Sequence, residues 1–467
     1  PQELNSYVDL IKLTRASYDL AGILFIWPKH WDERNIDQHF GEQILNDAVL
    51  CVKALSNLLL ELPLWFLVKA PEKYTQAEFA LPFSSMLNGF ARSLFLEHPK
   101  LKGGVIEYDD EGSKHLFNEL SLAANEDQVR LLGNNRYLAR LQKASLPENN
   151  KLSIDQHGIY LITGGMGSLG LQAAHTLALH GASEIVLLGR NTPSNDAQKA
   201  IQKIEELGAR VLFIQCDITK SEELQRVFEV LQKNNQVLKG IIHAAGIANP
   251  ISIKELDNAS IHEMMKSKVI GSWNLHEQSK FLNLDFFILY SSISSLIGSH
   301  KLAHYSAANG FLDGLASYRN SLNLPAQSIN WGPWEQGGMV NNLSGTKQVA
   351  DSGFTLIGSN EGADYLEQVI ANPETHQVAA IKADWDRVKN IYSSRSEQAI
   401  FEFLISETDE FKEAATPDLR NSLEAQPAWS RADILTDYLS THVCALLEIE
   451  DRENIDIKRG FFDMGMD

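Results

Sequence analysis

The chain has 467 residues, 44% of them apolar, which is enough for two or three globular domains and unlike a disordered chain. A formal net charge of −19 argues against a general nucleic-acid binder. The three cysteines, Cys51, Cys216 and Cys444, are widely separated and odd in number, and no run of about 18 apolar residues occurs. No disulfide framework, metal site or membrane span is therefore expected, and a reducing, cytoplasmic setting is.

The opening "PQELNSYVDL" lacks Met and has no signal-peptide layout, so it reads as the start of a piece of something longer. Residues 20–27, "LAGILFIW", and 64–69, "LWFLVK", read as buried strands. Between them "ILNDAVLCVKALSNLLLEL" has helical apolar spacing. "FSSMLNGFARSLFLEHP" reads as a second amphipathic helix, stopped by Pro99. A strand follows at "KGGVIEYDD", then a basic stretch, "QVRLLGNNRYLARLQ". Residues 1–150 thus alternate strand and helix, which implies a parallel sheet, but no glycine fingerprint follows any of these strands. That half is expected to be structural.

A polar linker, 145–157, precedes a restart of the pattern: strand "GIYLIT", loop "GGMGSLG", and a helix from about Gly170. Strands at "EIVLLG", "ARVLFIQCD", "KGIIHAAG", "DFFILYSS", "PAQSINWG" and "VAAIKADW" continue it to about residue 390. The fold class expected is α/β with two Rossmann-like halves, the second a catalytic doubly wound parallel sheet over 151–392. Residues 393–430 read as linker and 431–467 as a further helical segment ending in "FFDMGMD".

The loop Gly164–Gly165–Met166–Gly167–Ser168–Leu169–Gly170 contains GxGxxG between a strand and a helix, the context that this motif needs. Glycines let the backbone approach a diphosphate, and the helix start offers N–H groups and positive dipole. Chance glycine clustering is the bland alternative. The next strand ends in Arg190, where an NAD site usually has an acidic residue; an arginine there suits the 2′-phosphate of NADP. A plain solvent-facing arginine competes with that reading. Asp217 and Ile218, in "CDIT", are placed to contact adenine, although Asp217 could equally open a helix. Ala244, Ala245 and Gly246 of "HAAG" complete the expected cofactor set.

Ser292 ends the strand "FFILYSS" and lies thirteen residues before Tyr305, the serine-to-tyrosine spacing of short-chain reductases. A serine at a strand's carboxyl end points into the crevice where ligands bind. Each residue alone is more ordinary, a loop hydroxyl and a packed aromatic. A free phenol has a pKa of about 10, so a nearby ammonium is wanted to make it a better acid–base group. Short-chain reductases usually place lysine four residues after the tyrosine. Here Asn309 stands there, on the same helical face, and Lys268 lies on the earlier helix. Lys266 is the competing cation; Lys268 is preferred because "KVIG" follows it.

With that exchange, the chain resembles the ketoreductase domain of modular polyketide synthases. The matching stretches are "TGGMGSLG", "HAAG", "KVIGSWNLH", "YSSISSLIG", "YSAANGFLDGLA" and "INWGPWEQGGM", over about 158–340. "FARSLFLEHP" resembles the family's inert structural subdomain, a truncated Rossmann unit, and "FFDMGMD" the start of an acyl carrier domain, before the serine that would bear phosphopantetheine. The resemblance implies NADPH-dependent reduction of a β-ketoacyl thioester on an acyl carrier protein, among neighbouring synthase domains. In that reaction Tyr305 protonates the carbonyl oxygen, Ser292 hydrogen-bonds to it, Lys268 biases the tyrosine and binds cofactor ribose, and Asn309 holds a water or the lysine. The loop "GIANPISI", with Ala248, Asn249 and Pro250, lacks the Leu-Asp-Asp motif of the D-hydroxyl class. Ile297 stands where the L class often has tryptophan, and Leu302 where glutamine or histidine sorts α-methyl outcomes. Lack of the acidic motif favours the L-product, with a segment near 335–355 as the alternative determinant. An inactive spacer and a free-standing dehydrogenase of small carbonyls are the competing readings.

Overall fold

The computed structural model describes residues 3–26, 40–70, 81–122, 126–144, 146–147, 150–233, 237–335, 349, 352–396 and 398–404. In the first half, short runs rich in aromatic and branched residues form β1 (Ile23–Ile26), β2 (Leu64–Lys69), β3 (Lys102–Tyr108) and β4 (Gln128–Leu132). These four pair in parallel, in chain order. Helices α2 (Phe40–Asn57) and α3 (Pro82–Glu97) make the crossovers. Pro82 at the first position of α3 fixes φ where no N–H partner is needed, and the helix stops before His98-Pro99.

The first helix and both strands of the basic stretch were not legible in the pattern. The basic stretch contains a hairpin: β5 (Asn135–Leu138) pairs antiparallel with β4, and Gly133 in the turn has φ of +58°. All four residues of β5 are exposed, so the edge strand carries no alternating signature. Helix α1 (Leu4–Arg15) buries only Ile11, too little for a clear apolar stripe.

The second half is the α/β sheet that the sequence implied. Its strands are β6 (Gly158–Thr163), β7 (Glu184–Gly189), β8 (Arg210–Gln215), β9 (Val237–His243), β10 (Phe286–Ser292), β11 (Gln327–Trp331) and an edge strand Gln377–Ala380. The spatial order is β8-β7-β6-β9-β10-β11 and then the edge strand, every pair parallel. Chain direction across the sheet therefore reverses between β6 and β9. At such a switch point the flanking crossovers depart to opposite sides and leave a crevice at the strands' carboxyl ends. β6 and β10, buried at every residue, are the continuous apolar runs a doubly covered strand requires.

The two halves share one apolar core, in which Leu87 and Phe90 of α3 join Leu289 and Phe311 of the second half. Helix α11 (Ala303–Ser321) lies against α3 so closely that a Cβ at Gly89 would sit 2.2 Å from the Ser306 carbonyl oxygen. The first half thus packs as a wall against the second, held by backbone-to-backbone approach. Past the last strands, Ala399–Leu404 packs back on the first half, where the Leu141 N–H donates to the Ile400 carbonyl at 2.8 Å. The expected linker therefore begins in packed structure; its remainder from 405, and the carrier-like 431–467, lie outside the described residues. No described helix is long and apolar enough to cross a membrane.

Candidate active site

At the carboxyl end of β6, Gly164 turns the chain with φ of +66°, the left-handed region, and a Cβ there would lie 2.8 Å from the backbone of Ala245. Gly170 has the opposite reason to be small: its Cβ would lie 2.4 Å from the Gly164 carbonyl oxygen, so its absence draws α5 (Ser168–Leu179) onto the loop. The Gly165 N–H donates to Leu188 O at 3.1 Å and the Gly167 N–H to Gly164 O at 2.9 Å, fixing the loop to β7 and to itself. Met166 and Leu169 are partly buried against the sheet's core, while Gly167 and Ser168 are exposed. No side chain caps the start of α5. A loop with glycine at four of its seven positions, 164, 165, 167 and 170, leading into a helix start that no side chain caps, fits a dinucleotide's diphosphate.

Arg190 follows β7 and is exposed, and its carbonyl accepts from Gln215 Nε2 at 2.8 Å. Asp217 follows β8 and uses Oδ1 locally, accepting from Thr219 N at 3.1 Å and Thr219 Oγ1 at 2.8 Å. These bonds close a turn ahead of the helix that starts at Ser221. Ile218 is buried beneath Gly271, and its carbonyl accepts from Asn274 Nδ2 at 2.9 Å. Ala244 and Ala245 back the phosphate loop, and Gly246 opens to solvent beside the Lys268 side chain. His243, just before them, bridges β9 to Thr163 of β6 at 2.7 Å. Burial, with the Lys268 charge second, pushes its pKa down to about 3, so it is a neutral floor of the crevice.

Lys268 arrives on an unusual element. After α8 (Asn258–Met265), Lys266–Gly271 forms a π-turn before α9 (Ser272–Ser279) resumes α geometry. The widened turn rotates the following side chains and is a recurrent device at functional sites. Lys266 stays at the surface, paired with Glu263 at 2.6 Å, whereas Lys268 is buried. The Lys268 ammonium donates to Tyr290 O at 2.9 Å and lies 5.8 Å from the centroid of the Tyr305 ring. Burial brings its pKa down to about 8, opposed by the Asp313 charge.

Ser292 ends β10, nearly buried, and its Oγ accepts from Ser294 N at 3.2 Å. Tyr305, in the first turn of α11, keeps part of its surface open. Burial raises the pKa of the phenol; hydrogen bonding to Ser292, then Asn309, offsets part of the rise. The direction is upward because desolvation outweighs those hydrogen bonds, which favours the protonated phenol. For delivering a proton to a carbonyl oxygen, that is the required resting form. Asn309, one turn on, donates from Nδ2 to Tyr305 O at 2.8 Å, and its buried Oδ1 has no protein partner. An orphaned acceptor there fits a water or ammonium donor. The four residues Lys268, Ser292, Tyr305 and Asn309, drawn from the π-turn, β10 and α11, thus meet at the carboxyl ends of β9 and β10, beside the phosphate loop.

A buried polar layer below them was missed by the sequence reading. Asp313, one turn beyond Asn309, accepts from Ser328 Oγ at 2.6 Å, lies 2.6 Å from Ser295 Oγ, and is reached by Asn330 Nδ2 at 2.9 Å on both oxygens. Ser295 Oγ also lies 2.8 Å from Ser292 O, and Ser291 Oγ donates to Asn309 O at 3.1 Å. The layer holds the backbone of two of the four residues, and Asp313, whose own pKa burial raises, partly offsets the fall in the Lys268 pKa. Its only sequence signal was polar residues inside otherwise apolar runs, as in "YSS" and "SINW".

Residues 158–336 match the family model of the KR domain. The chain is 28% identical over 409 residues to a phenolphthiocerol/phthiocerol polyketide synthase chain of Mycobacterium tuberculosis, covering 86% of this chain and 26% of that protein. It is 28% identical over 428 residues to erythronolide synthase EryA3 of Saccharopolyspora erythraea, covering 90% of this chain and 13% of that protein. The chain therefore spans about a quarter or less of these curated relatives. Among solved structures, an A1-type ketoreductase superposes with TM-score 0.77 at 26% identity, covering 86% of each chain. A-type ketoreductases from a modular polyketide synthase do so with the same TM-score and coverage at 25% identity. Residues 158–336 thus match the KR domain, and the chain is similar in sequence and in fold to the ketoreductases of polyketide synthases.

Proposed function

We propose that the chain reduces the β-keto group of an acyl thioester, carried on an acyl carrier protein, to the β-hydroxyacyl thioester with NADPH. The observation that supports this most is the convergence of Lys268, Ser292, Tyr305 and Asn309 beside the phosphate loop. When bound, the reduced nicotinamide supplies a hydride to C3 of the substrate. Negative charge then gathers on the ketone oxygen. Ser292 Oγ donates a hydrogen bond to that oxygen, and a preorganised donor of this kind contributes most where charge develops. Tyr305 gives its phenolic proton to the same oxygen. The phenolate left behind is stabilised by the Lys268 ammonium, which the Asp313 charge helps keep protonated. Asn309 Oδ1, without a protein partner, accepts from the water or ammonium through which the proton is restored.

Arg190 supports NADPH over NADH, being an exposed cation at the end of β7 with no carboxylate in its place. Residues 1–150 serve as the structural subdomain, 151–392 as the catalytic one, 393–430 as linker, and 431–467 as the beginning of a carrier domain. The substrate-bearing carrier and neighbouring synthase domains are the partners. The product is the L-hydroxy thioester, supported by the loop after β9, which holds Ala248, Asn249 and Pro250 and no acidic pair. Ile297 is fully buried beside Phe354 and Val388 and offers the substrate no surface. Of the alternative segment 335–355, residues 336–348, 350 and 351 lie outside the described residues. The test is product analysis by chiral chromatography after incubating the chain with NADPH and a defined β-ketoacyl carrier thioester. No hydroxyacyl product would refute the activity, and a mainly D-hydroxy product would refute the handedness.

A further inference from the structure

Glu97 is the last residue of α3, on the non-catalytic half, yet its carboxylate grips two loops of the catalytic half. Its Oε2 accepts from Ile253 N at 2.9 Å and its Oε1 from Lys301 N at 3.1 Å. The first loop leaves β9 at the crevice, passing Gly246 and the Lys268 side chain. The second joins α10 (Ser294–Ile297) to α11 and so delivers Tyr305. The loops are also tied to each other, because Ile251 N donates to Lys301 O at 2.8 Å.

Lys301 is the knot. Its φ of +59° places a non-glycine residue in the left-handed region, which persists only where the surroundings enforce it. Both of its peptide groups are taken, the N–H by Glu97 and the carbonyl by Ile251. Neighbouring residues of α3 hold the same connection: Arg92 donates to Leu296 O, and Ser93 Oγ accepts from Ser299 N at 2.9 Å. Of these three, Glu97 alone also reaches the loop after β9. Charge-assisted hydrogen bonds to a carboxylate are stronger than neutral ones, so this carboxylate is a firm tie.

We propose that Glu97 is a positioning residue that fixes the gap between the 247–256 and 298–302 loops, and thereby the orientation in which the ketone meets Tyr305. The proposal rests on the ketoreductase reading above. A ketone entering a crevice with a fixed gap presents one face; a slack gap admits both faces and binds each less well. The two hydrogen bonds of Glu97 go to these loops and not to the phosphate loop, so cofactor binding is untouched.

The experiment uses the full chain with Glu97→Ala and Glu97→Gln. Glutamine keeps the length but has one acceptor oxygen for two amides. Amide exchange without substrate should rise about tenfold or more in peptides covering 249–256 and 298–303 of Glu97→Ala, and not in 158–170. With a β-ketoacyl thioester, KM should rise about tenfold and the ratio of hydroxy epimers fall about fivefold, while kcat changes less than about threefold. The NADPH Kd should stay within about twofold of wild type, and Glu97→Gln should lie between. Unchanged exchange in the two loops would overturn the tie. Raised exchange with wild-type KM and epimer ratio would overturn the positioning role and leave Glu97 merely structural. If Glu97→Ala does not fold, Glu97→Gln carries the same readings. If the wild type reduces no ketoacyl thioester, the proposed reaction falls, and the exchange arm alone then supports or overturns the tie.

Discussion

Replacing Lys268 by methionine should stabilise the protein near neutral pH while removing its activity. The ammonium is buried, and desolvation, only partly offset by Asp313, takes its pKa from the ordinary 10.5 to about 8. At about 1.4 kcal/mol per pKa unit, keeping it charged in the fold costs about 3 kcal/mol. The folded pKa of this base lies below the unfolded one. The penalty is therefore complete below pH about 8, fades as the folded amine loses its proton, and is gone above about 10.5. Methionine has a similar reach and no charge, but it leaves Tyr290 O without its donor, a loss of about 1 kcal/mol at every pH. The variant should then be more stable than wild type by about 2 kcal/mol near pH 7, and about equal to it near pH 10. Denaturant unfolding of both full chains at the two pH values measures this, since other titrating groups cancel in the difference. A variant-minus-wild-type difference that is constant with pH, or that grows toward alkali, would refute the reasoning. Turnover should fall by about two orders of magnitude or more, the cost of losing the cation beside the tyrosine.

Tyr305→Phe removes the proton donor and leaves the ring, so turnover should drop by about two orders of magnitude or more while NADPH still quenches protein fluorescence; near-normal turnover would remove the tyrosine from the chemistry. Arg190→Ala should weaken NADPH by about tenfold or more and NADH by less than about twofold, by titration, because only NADPH carries the 2′-phosphate. Equal losses would mean that Arg190 supports the rim and does not read the phosphate. Gly170→Ala places a Cβ 2.4 Å from the Gly164 carbonyl oxygen, so the loop must move away from α5. Titration should show NADPH and NADH weakened alike, by about tenfold or more; unchanged affinity for both would separate the loop from the diphosphate.

What is local was legible along the chain. GxGxxG between a strand and a helix, the run of apolar strands in the second half, and serine thirteen residues before tyrosine are all set within one or two elements. Period and spacing report such features because each element must bury its own apolar face wherever it finally packs. Long-range packing settled the rest. Lys266 and Lys268 stand two apart and so on opposite faces of a helix, but which face meets Tyr305 was decided by packing: Lys266 is paired with Glu263 and Lys268 is buried beside the tyrosine. Asp313 reads along the chain as an ordinary polar position of a helix, and it becomes the buried counter-charge only because Ser295, Ser328 and Asn330 are brought round it from β11 and the connection after β10. β5 was invisible because an exposed edge strand is specified by its partner's free hydrogen bonds, not by its own side chains. Glu97 reads as a helix end, and its two amide partners lie 156 and 204 residues away. Hydrogen bonds to backbone leave no mark on the residues that donate them, so only the folded chain could show that the first half holds loops of the second.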